Sequence, residues 1–422
     1  MFNFTSPITP DLSPNAEADD IQFAFSAFFT PWSWKKGEAN TELQKRYMSL
    51  YNQSAVFTYD QGRTALHQIF QALQLQPGDE VFLQAYTCIV VPNAIKAAGA
   101  TLQYIDITNN YTIDIDALEA AIQQATSPKA ILVQHTYGIP TDLERLRQLA
   151  DDYSLYLIED CAHVTHYKYS GTLLGAYGDA AIFSYGRDKP LSTVSGGVAV
   201  VHNEDIANTM SDTYNTLRVP SYIWIKRRLL HPLIFSFAKR LYYTFSLGKI
   251  VIAMAKKFHL FAWVMKQSEK KGVQSDSYLM PNIIAMWAIR QFDKAERYNE
   301  HRMHLSSIYS NQLRHLHDSG HIVLPEMTSD SLVPYLRFPI KSDSSAELLN
   351  YCTQNGILLG DWYRTVIAPA SADSLAAEYT ASSCGNAEEA ILQVVNLPTN
   401  ILTTEDDALK VVDTINTFFQ TQ

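Results

Sequence analysis

Cysteine is scarce: none of the four residues, Cys88, Cys161, Cys352 and Cys384, stands in CxxC spacing with another. That pattern suggests neither a disulfide framework nor a zinc site, and no metal is expected. Charged residues are few as well, 18% of 422. The most apolar segment has a longest charge-free run of about ten residues, well short of the roughly 20 that span a bilayer. The opening MFNFTSPITPDL lacks the basic stretch and apolar core of a secretory signal, so a reducing, cytoplasmic setting is expected. Repeats and low-complexity tracts are absent. What remains is a globular chain, 47% hydrophobic and long enough for about one to three domains.

The informative residues are concentrated between Ser154 and Val201. The apolar run Leu155–Ile158 ends at Glu159-Asp160, and Ala180–Phe183 ends at Ser184-Tyr185. Lys189 follows, then the small-residue turn Ser195-Gly196-Gly197 and a third apolar run. Short apolar runs bounded by Gly and polar residues read as strands of a sheet buried on both faces. Functional side chains in such sheets gather just past the carboxyl ends of strands. An acid at one strand end, a hydroxyl at the next and an amine in the following turn can then share one crevice. Pyridoxal phosphate enzymes use that set: lysine for the Schiff base, a carboxylate for the pyridinium nitrogen, a hydroxyl for the phosphate.

EDCAH followed by GDAAIFSYGRDKPLSTVSGG resembles the signature of the DegT/DnrJ/EryC1/StrS sugar aminotransferases, which are fold-type-I pyridoxal phosphate enzymes. The resemblance implies an α/β fold, with a mostly parallel central sheet covered by helices and a smaller C-terminal α+β domain. The expected division is an arm over 1–52, a large cofactor-binding domain over 53–300 and a small domain over 301–422. By resemblance, Lys189 holds pyridoxal 5'-phosphate and shuttles the proton, Asp160 faces the ring nitrogen, His163 meets the ring oxygen O3′ and Ser184 helps anchor the phosphate.

Gly62-Arg63-Thr64 opens a helix, where free N–H groups and the helix dipole favour an anion. Spacing alone is equally satisfied by an ordinary N-cap. GRTAL with LQLQPGDEVF is similar to a family segment and implies a phosphate cup, with Arg63 where the family often has Thr. AYTCIVVPNAIK resembles the segment whose side chain stacks on the cofactor ring. That position falls on Cys88, where an aromatic is usual, with Tyr86 as the alternative platform, and both stay open. HTYGIPTDL resembles a further family segment and puts His135 either in the pocket or in the core. In SDSYLMPN, Ser277 aligns with a family Asn that reaches the cofactor phosphate of the partner subunit, and Leu279 aligns with the family's Arg. A homodimer is therefore expected, with a keto-sugar acceptor, nucleotide-linked or lipid-linked, and an amino-acid donor, glutamate by resemblance. A non-catalytic scaffold of the same fold, or a fold-type-I lyase acting on amino acids, are the other readings.

Charge is uneven. The net charge of −10 hides twelve Lys/Arg and one acid, Glu269, between Arg218 and Lys271, against 21 basic and 42 acidic residues elsewhere. Within 221–265 the basic residues alternate with Trp, Phe, Tyr, Leu and Ile. This composition suits a helix or helix pair lying in a membrane interface, on the inner face for a cytoplasmic protein. A dimer-interface insertion with snorkelling lysines is the plainer reading. Long aliphatic runs argue against nucleic acid. Elsewhere, one helix near Thr41–Tyr51 is expected in the arm, the aromatic cluster FAFSAFFTPWSW is read as a cap on the core, and DSYLMPNIIAMWAIRQFDKAERYNEHR reads as one long helix.

Overall fold

The computed structural model describes residues 7–10, 15–242, 246–263, 265–326 and 332–421. Helices α1 (Ala18–Ala27) and α2 (Ala39–Leu50) precede β1 (Ala55–Tyr59) and α3 (Gly62–Ala72). The chain continues through β2 (Glu80–Gln84), β3 (Thr87–Cys88), α4 (Val90–Ala97), β4 (Thr101–Ile105), α5 (Ile115–Gln124), β5 (Pro128–Gln134), α6 (Leu143–Asp152) and β6 (Tyr156–Asp160). A short hairpin, β7 (Lys168–Tyr169) and β8 (Thr172–Leu173), leads into β9 (Ala180–Ser184) and β10 (Gly197–Val201).

Seven strands form one sheet in the order β1-β10-β9-β6-β5-β2-β4. Strands β4, β2, β5, β6 and β9 run parallel, while β10 is antiparallel to both β9 and β1. Side chains of a strand alternate between faces. Val81, Leu83, Leu132, Ile158 and Ile182 enter one core, and Phe82, Ile131, Val133, Leu157 and Phe183 enter the other. Burial on both sides is why these strands read as unbroken apolar runs.

The arm holds two helices where one was expected. Asp20 in the first turn of α1 is buried and accepts from Trp287 Nε1 and Gln291 Nε2, each at 2.8 Å, while pairing with Lys294 Nζ at 3.0 Å. Docked in this way, the arm gives Ala24, Trp34, Leu43, Tyr47 and Tyr51 to the main core. The aromatic cluster divides: Trp34 is buried, but Phe25, Phe29 and Trp32 are 57%, 66% and 74% exposed.

After β10 come α7 (Glu204–Tyr214) and the basic window, a helical pair α8 (Tyr222–Arg240) and α9 (Leu247–Lys257), followed by α10 (Gln267–Lys270). The expected single long helix is two, α11 (Asn282–Phe292) and α12 (Ala295–Gln312). It starts only after Pro281 and breaks at Asp293-Lys294, where the Lys294 ammonium turns to Glu17, Asp19 and Asp20.

Last come α13 (Arg314–Asp318), β11 (Phe338–Lys341), α14 (Ser345–Gln354), β12 (Ile367–Ala368), α15 (Gly385–Gln393), β13 (Val394–Leu397) and α16 (Glu405–Gln420). They build a second core around Phe338, Ile340, Leu348, Val395 and Ile415. Strand β12 pairs in parallel with β3, Ala368 opposite Cys88, which fastens this core to the edge where the functional residues lie. Among the described residues no helix is long and apolar enough to cross a membrane.

Candidate active site

Three strand ends make the site. In register, Asp160 closing β6 lies opposite Ile182, and Ser184 closing β9 lies opposite Gly197. The turn after β1 delivers Gly62 to the same edge, so tightly that a Cβ on Gly62 would stand 2.9 Å from the Ser184 Cβ. A Cβ on Gly197 would stand 2.3 Å from the Gln61 carbonyl oxygen. Only glycine permits these approaches.

Asp160 is buried, and its Oδ1 accepts from the Ala162 N–H at 2.9 Å. Burial pushes its pKa up, against the pull of the Lys189 ammonium and the Ala162 N–H. Burial pushes the Lys189 pKa down, against the pull of Asp160, Cys88 and Asp188. The lysine's backbone is clamped from two distant segments. Asn15 Nδ2 donates to the Lys189 carbonyl at 2.6 Å, and the buried Arg302 donates to the Pro190 carbonyl at 2.6 Å and to Asn15 Oδ1 at 3.3 Å.

His163 Nδ1 accepts from the Tyr137 N–H at 3.1 Å, and burial with the Lys189 and Arg337 charges holds the ring well below its usual pKa, hence neutral. Its ring stacks on Trp362 at 5.8 Å between centroids. The Lys189 ammonium lies 5.7 Å from the Trp362 centroid, and the Arg337 guanidinium 3.6 Å from it. Neither Trp362 nor Arg337 was singled out from the sequence, since both lie far along the chain in an otherwise plain stretch of the smaller core. The same is true of Asn15 and Arg302.

The turn at α3 is occupied in an unexpected way. Thr64 Oγ1 donates to Asp60 Oδ1 at 2.7 Å, and burial pushes the Asp60 carboxyl up to about 6. Arg63 Nη1 is 2.6 Å from Glu269 Oε1, an ion pair in which Glu269 is 3% exposed. The one acid of the basic window therefore neutralises the one cation of the expected phosphate cup. Ser277 Oγ accepts from Gln68 Nε2 of its own chain at 3.2 Å, on the flank of α3.

The two candidate platforms lie in different surroundings. The Cys88 thiol feels Arg63, Lys189 and Asp160, and burial raises its pKa, keeping it a protonated thiol. Tyr86 lies between β2 and β3 with a backbone φ of 64°. Its ring packs on Tyr111, Tyr137 and Tyr363, and its hydroxyl meets Tyr137, the Trp362 carbonyl and the Tyr363 N–H. His135 is a core residue, fully buried, with Nε2 3.1 Å from Glu159 Oε2.

A family profile described as the DegT/DnrJ/EryC1/StrS aminotransferase family matches residues 16–227 and 248–416. A GDP-perosamine synthase from Escherichia coli O157:H7 is 30% identical over 198 residues, 47% of this chain and 54% of that protein. A UDP-N-acetyl-3-dehydro-alpha-D-glucosamine 3-aminotransferase from Acidithiobacillus ferrooxidans is 36% identical over 141 residues, 33% of this chain and 38% of that protein. The chain thus spans about half the length, or less, of these curated relatives. Among solved structures, PseC of Helicobacter pylori, an aminotransferase involved in the biosynthesis of pseudoaminic acid, superposes with a TM-score of 0.74 at 14% identity, covering 100% of both chains. DesV of S. venezuelae gives 0.71 at 22% identity, covering 95% of this chain and 94% of its own. At these identities the structures establish a shared fold.

Proposed function

The chain belongs to the DegT/DnrJ/EryC1/StrS aminotransferase family, and from that membership we propose that it is a pyridoxal 5'-phosphate-dependent aminotransferase. Its reaction moves an amino group from an amino-acid donor to a keto-sugar, in glycan or related biosynthesis. The observation that carries this reading is the meeting of Lys189 and Asp160, each shifting the other's pKa, at a sheet edge shared with Ser184 and Gly62.

The cofactor fits this edge on three counts. Helix α3 has no side-chain cap, leaving its amino end to an anion. Glycines at 62 and 186 keep the backbone open where a Cβ would press on Ser184 or Lys189. The acid and the amine act on each other electrostatically at this edge. When bound, pyridoxal phosphate supplies an electron sink for the carbon that loses its proton. Lys189, its pKa lowered by burial, takes and returns that proton. Asp160 holds a negative charge toward the ring nitrogen, neutral His163 presents its ring edge, and the Trp362 face covers the lysine. Titrating wild type and Lys189→Ala with pyridoxal phosphate tests the reading. The visible band of a lysine-bound cofactor should form in the wild type alone, with amino transfer from glutamate to nucleotide-linked keto-sugars. A band of equal strength in the variant would end it.

The basic window supports a second, finer part of the proposal, attachment to an anionic membrane surface by a protein that works as a homodimer. Ile223, Phe237, Ile250, Met254, Phe258 and Trp263 are 64%, 57%, 49%, 54%, 60% and 54% exposed, an unusual concentration of apolar surface. Lys226, Arg240, Lys249, Lys256 and Lys257 are exposed among them. Tyr222 touches Trp34 of the arm. Co-sedimentation with vesicles of phosphatidylcholine, with and without phosphatidylserine, checks this. Binding confined to the anionic vesicles and weakened by salt is expected. A salt-insensitive dimer that leaves both vesicle types alone would assign the patch to a second copy instead.

A further inference from the structure

The turn that carries Lys189 is held from outside the signature. Asn15, 2% exposed, donates from Nδ2 to the Lys189 carbonyl at 2.6 Å. Arg302 on α12, 1% exposed, donates from Nη2 to the Pro190 carbonyl at 2.6 Å and to Asn15 Oδ1 at 3.3 Å. One guanidinium thus holds the second of two consecutive carbonyls and also the side chain that holds the first. Pro190 stiffens the same point, because its ring fixes its own φ and biases the residue before it toward extended backbone. The lysine side chain begins from this turn, with its Cγ 3.2 Å from where a Cβ on Gly186 would stand.

A buried arginine is a costly way to hold a turn. Arg302 Nε and Nη1 have no hydrogen-bond partner. The Tyr298 ring centroid is 5.8 Å away, and the groups that its Nη2 holds are both neutral. Burying a cation on such terms lowers stability, and such groups ordinarily have a use. Its place along α12 suggests one. Tyr298 belongs to the main core and Leu305 to the second, so Arg302 falls where the helix passes between them. Packing alone leaves the turn some room, since a cavity of about 10 Å³ borders Pro190 and Leu191 as well as Ser184 and Tyr185. Hydrogen bonds, more than side-chain packing, set where the lysine backbone stands.

We propose that Asn15 and Arg302 are positioning residues for Lys189, fixing the carbonyls of residues 189 and 190 so that the amine stands within reach of the cofactor's aldehyde carbon. The inference rests on the pyridoxal phosphate reading. The bond concerned joins Lys189 Nζ to that carbon and forms with loss of one water. A lysine on a loosened turn pays extra conformational entropy to make it. Binding of the cofactor without that bond is indifferent to where the turn stands.

The test compares full-length wild type, Asn15→Ala and Arg302→Lys by equilibrium titration with two ligands. One is pyridoxal phosphate, and the other is pyridoxamine phosphate, whose amine in place of the aldehyde cannot bond to Lys189. Wild type must form the lysine-bound band with pyridoxal phosphate. If it does not, the cofactor reading fails before this inference is reached. Asn15→Ala should raise the Kd for pyridoxal phosphate by about five- to tenfold and leave that for pyridoxamine phosphate within about twofold. Arg302→Lys keeps the charge and one donor for the Pro190 carbonyl, and should show the same selective loss, severalfold in size. Should one variant not fold, the other decides. An equal loss for both ligands overturns the inference, because the pair would then support the fold at large. Unchanged affinity for pyridoxal phosphate overturns it as well, since the lysine would find its place without them.

Discussion

Glu269→Gln should weaken the fold and tighten the cofactor at the same time. The Arg63–Glu269 pair is 2.6 Å long, with side chains 13% and 3% exposed. At an effective dielectric of about 20 its gross attraction is roughly 6 kcal/mol, most of it offset by desolvation of two charges. Removing one partner of such a pair costs about 3–5 kcal/mol, because the other charge stays buried without that counter-ion. Glutamine keeps the shape and some hydrogen bonding, which places the apo protein near the low end, about 3 kcal/mol. With pyridoxal phosphate bound, Arg63 gains a dianion in place of the carboxylate, and the loss should shrink to about half. Closing the cycle, the difference of about 1.4 kcal/mol corresponds to a tenfold tighter cofactor. Urea unfolding of both proteins, with and without saturating cofactor, gives the stability terms, and direct titration gives the affinity. Equal destabilisation in both states with unchanged or weaker binding would show that Arg63 never meets the phosphate.

Lys189→Ala should lower amino transfer by about 10²–10⁴ while leaving the melting temperature of the apo protein within a few degrees, measured by steady-state kinetics and calorimetry. Glu159, which accepts from the Gly175, Tyr177 and Gly178 N–H groups at 2.8 Å each and from His135, has its pKa held below the usual carboxylate value by His135 and these donors in spite of burial. Its folded pKa lies below the unfolded one, so its contribution is present above the unfolded pKa and lost as pH falls through the folded value. Glu159→Gln should cost about 3–5 kcal/mol at neutral pH and progressively less in acid, read by denaturant titration across pH. Replacing Lys249, Lys256 and Lys257 together by glutamate should weaken binding to anionic vesicles by at least about 3 kcal/mol, at about 1 kcal/mol per lost charge, and co-sedimentation would report it. Unchanged binding would exclude α9 from the contact.

Much of the centre was legible because its residues are consecutive. Asp160 and Ser184 fall at the ends of apolar runs, with His163 and Lys189 in the turns that follow, so spacing along the chain becomes proximity in space. The pieces that were not legible come from far away. Trp362 reaches His163 and Lys189 from the second core, and Arg302 and Asn15 reach the lysine turn from opposite ends of the chain. No periodicity links such positions. Side-chain alternation could not separate Cys88 from Tyr86, since a left-handed residue at Tyr86 interrupts the alternation by which side chains are assigned to faces. The second helix of the arm depends on Asp20 finding Trp287, Gln291 and Lys294, a tertiary event that local propensity does not contain. Glu269 did stand out as the lone acid in a basic window, yet only the fold shows that it faces Arg63.

The grip on the lysine's carbonyl has a consequence for how the protein is made. Asn15 leaves the ribosome early and waits for Lys189, and Arg302 must then arrive before the turn is locked. A nascent chain released just after the signature would already hold the amine, the acid, both glycine turns and Asn15, but would lack Arg302, which bonds both Asn15 and the Pro190 carbonyl. The full set of contacts on the lysine turn therefore exists only once residue 302 has been made.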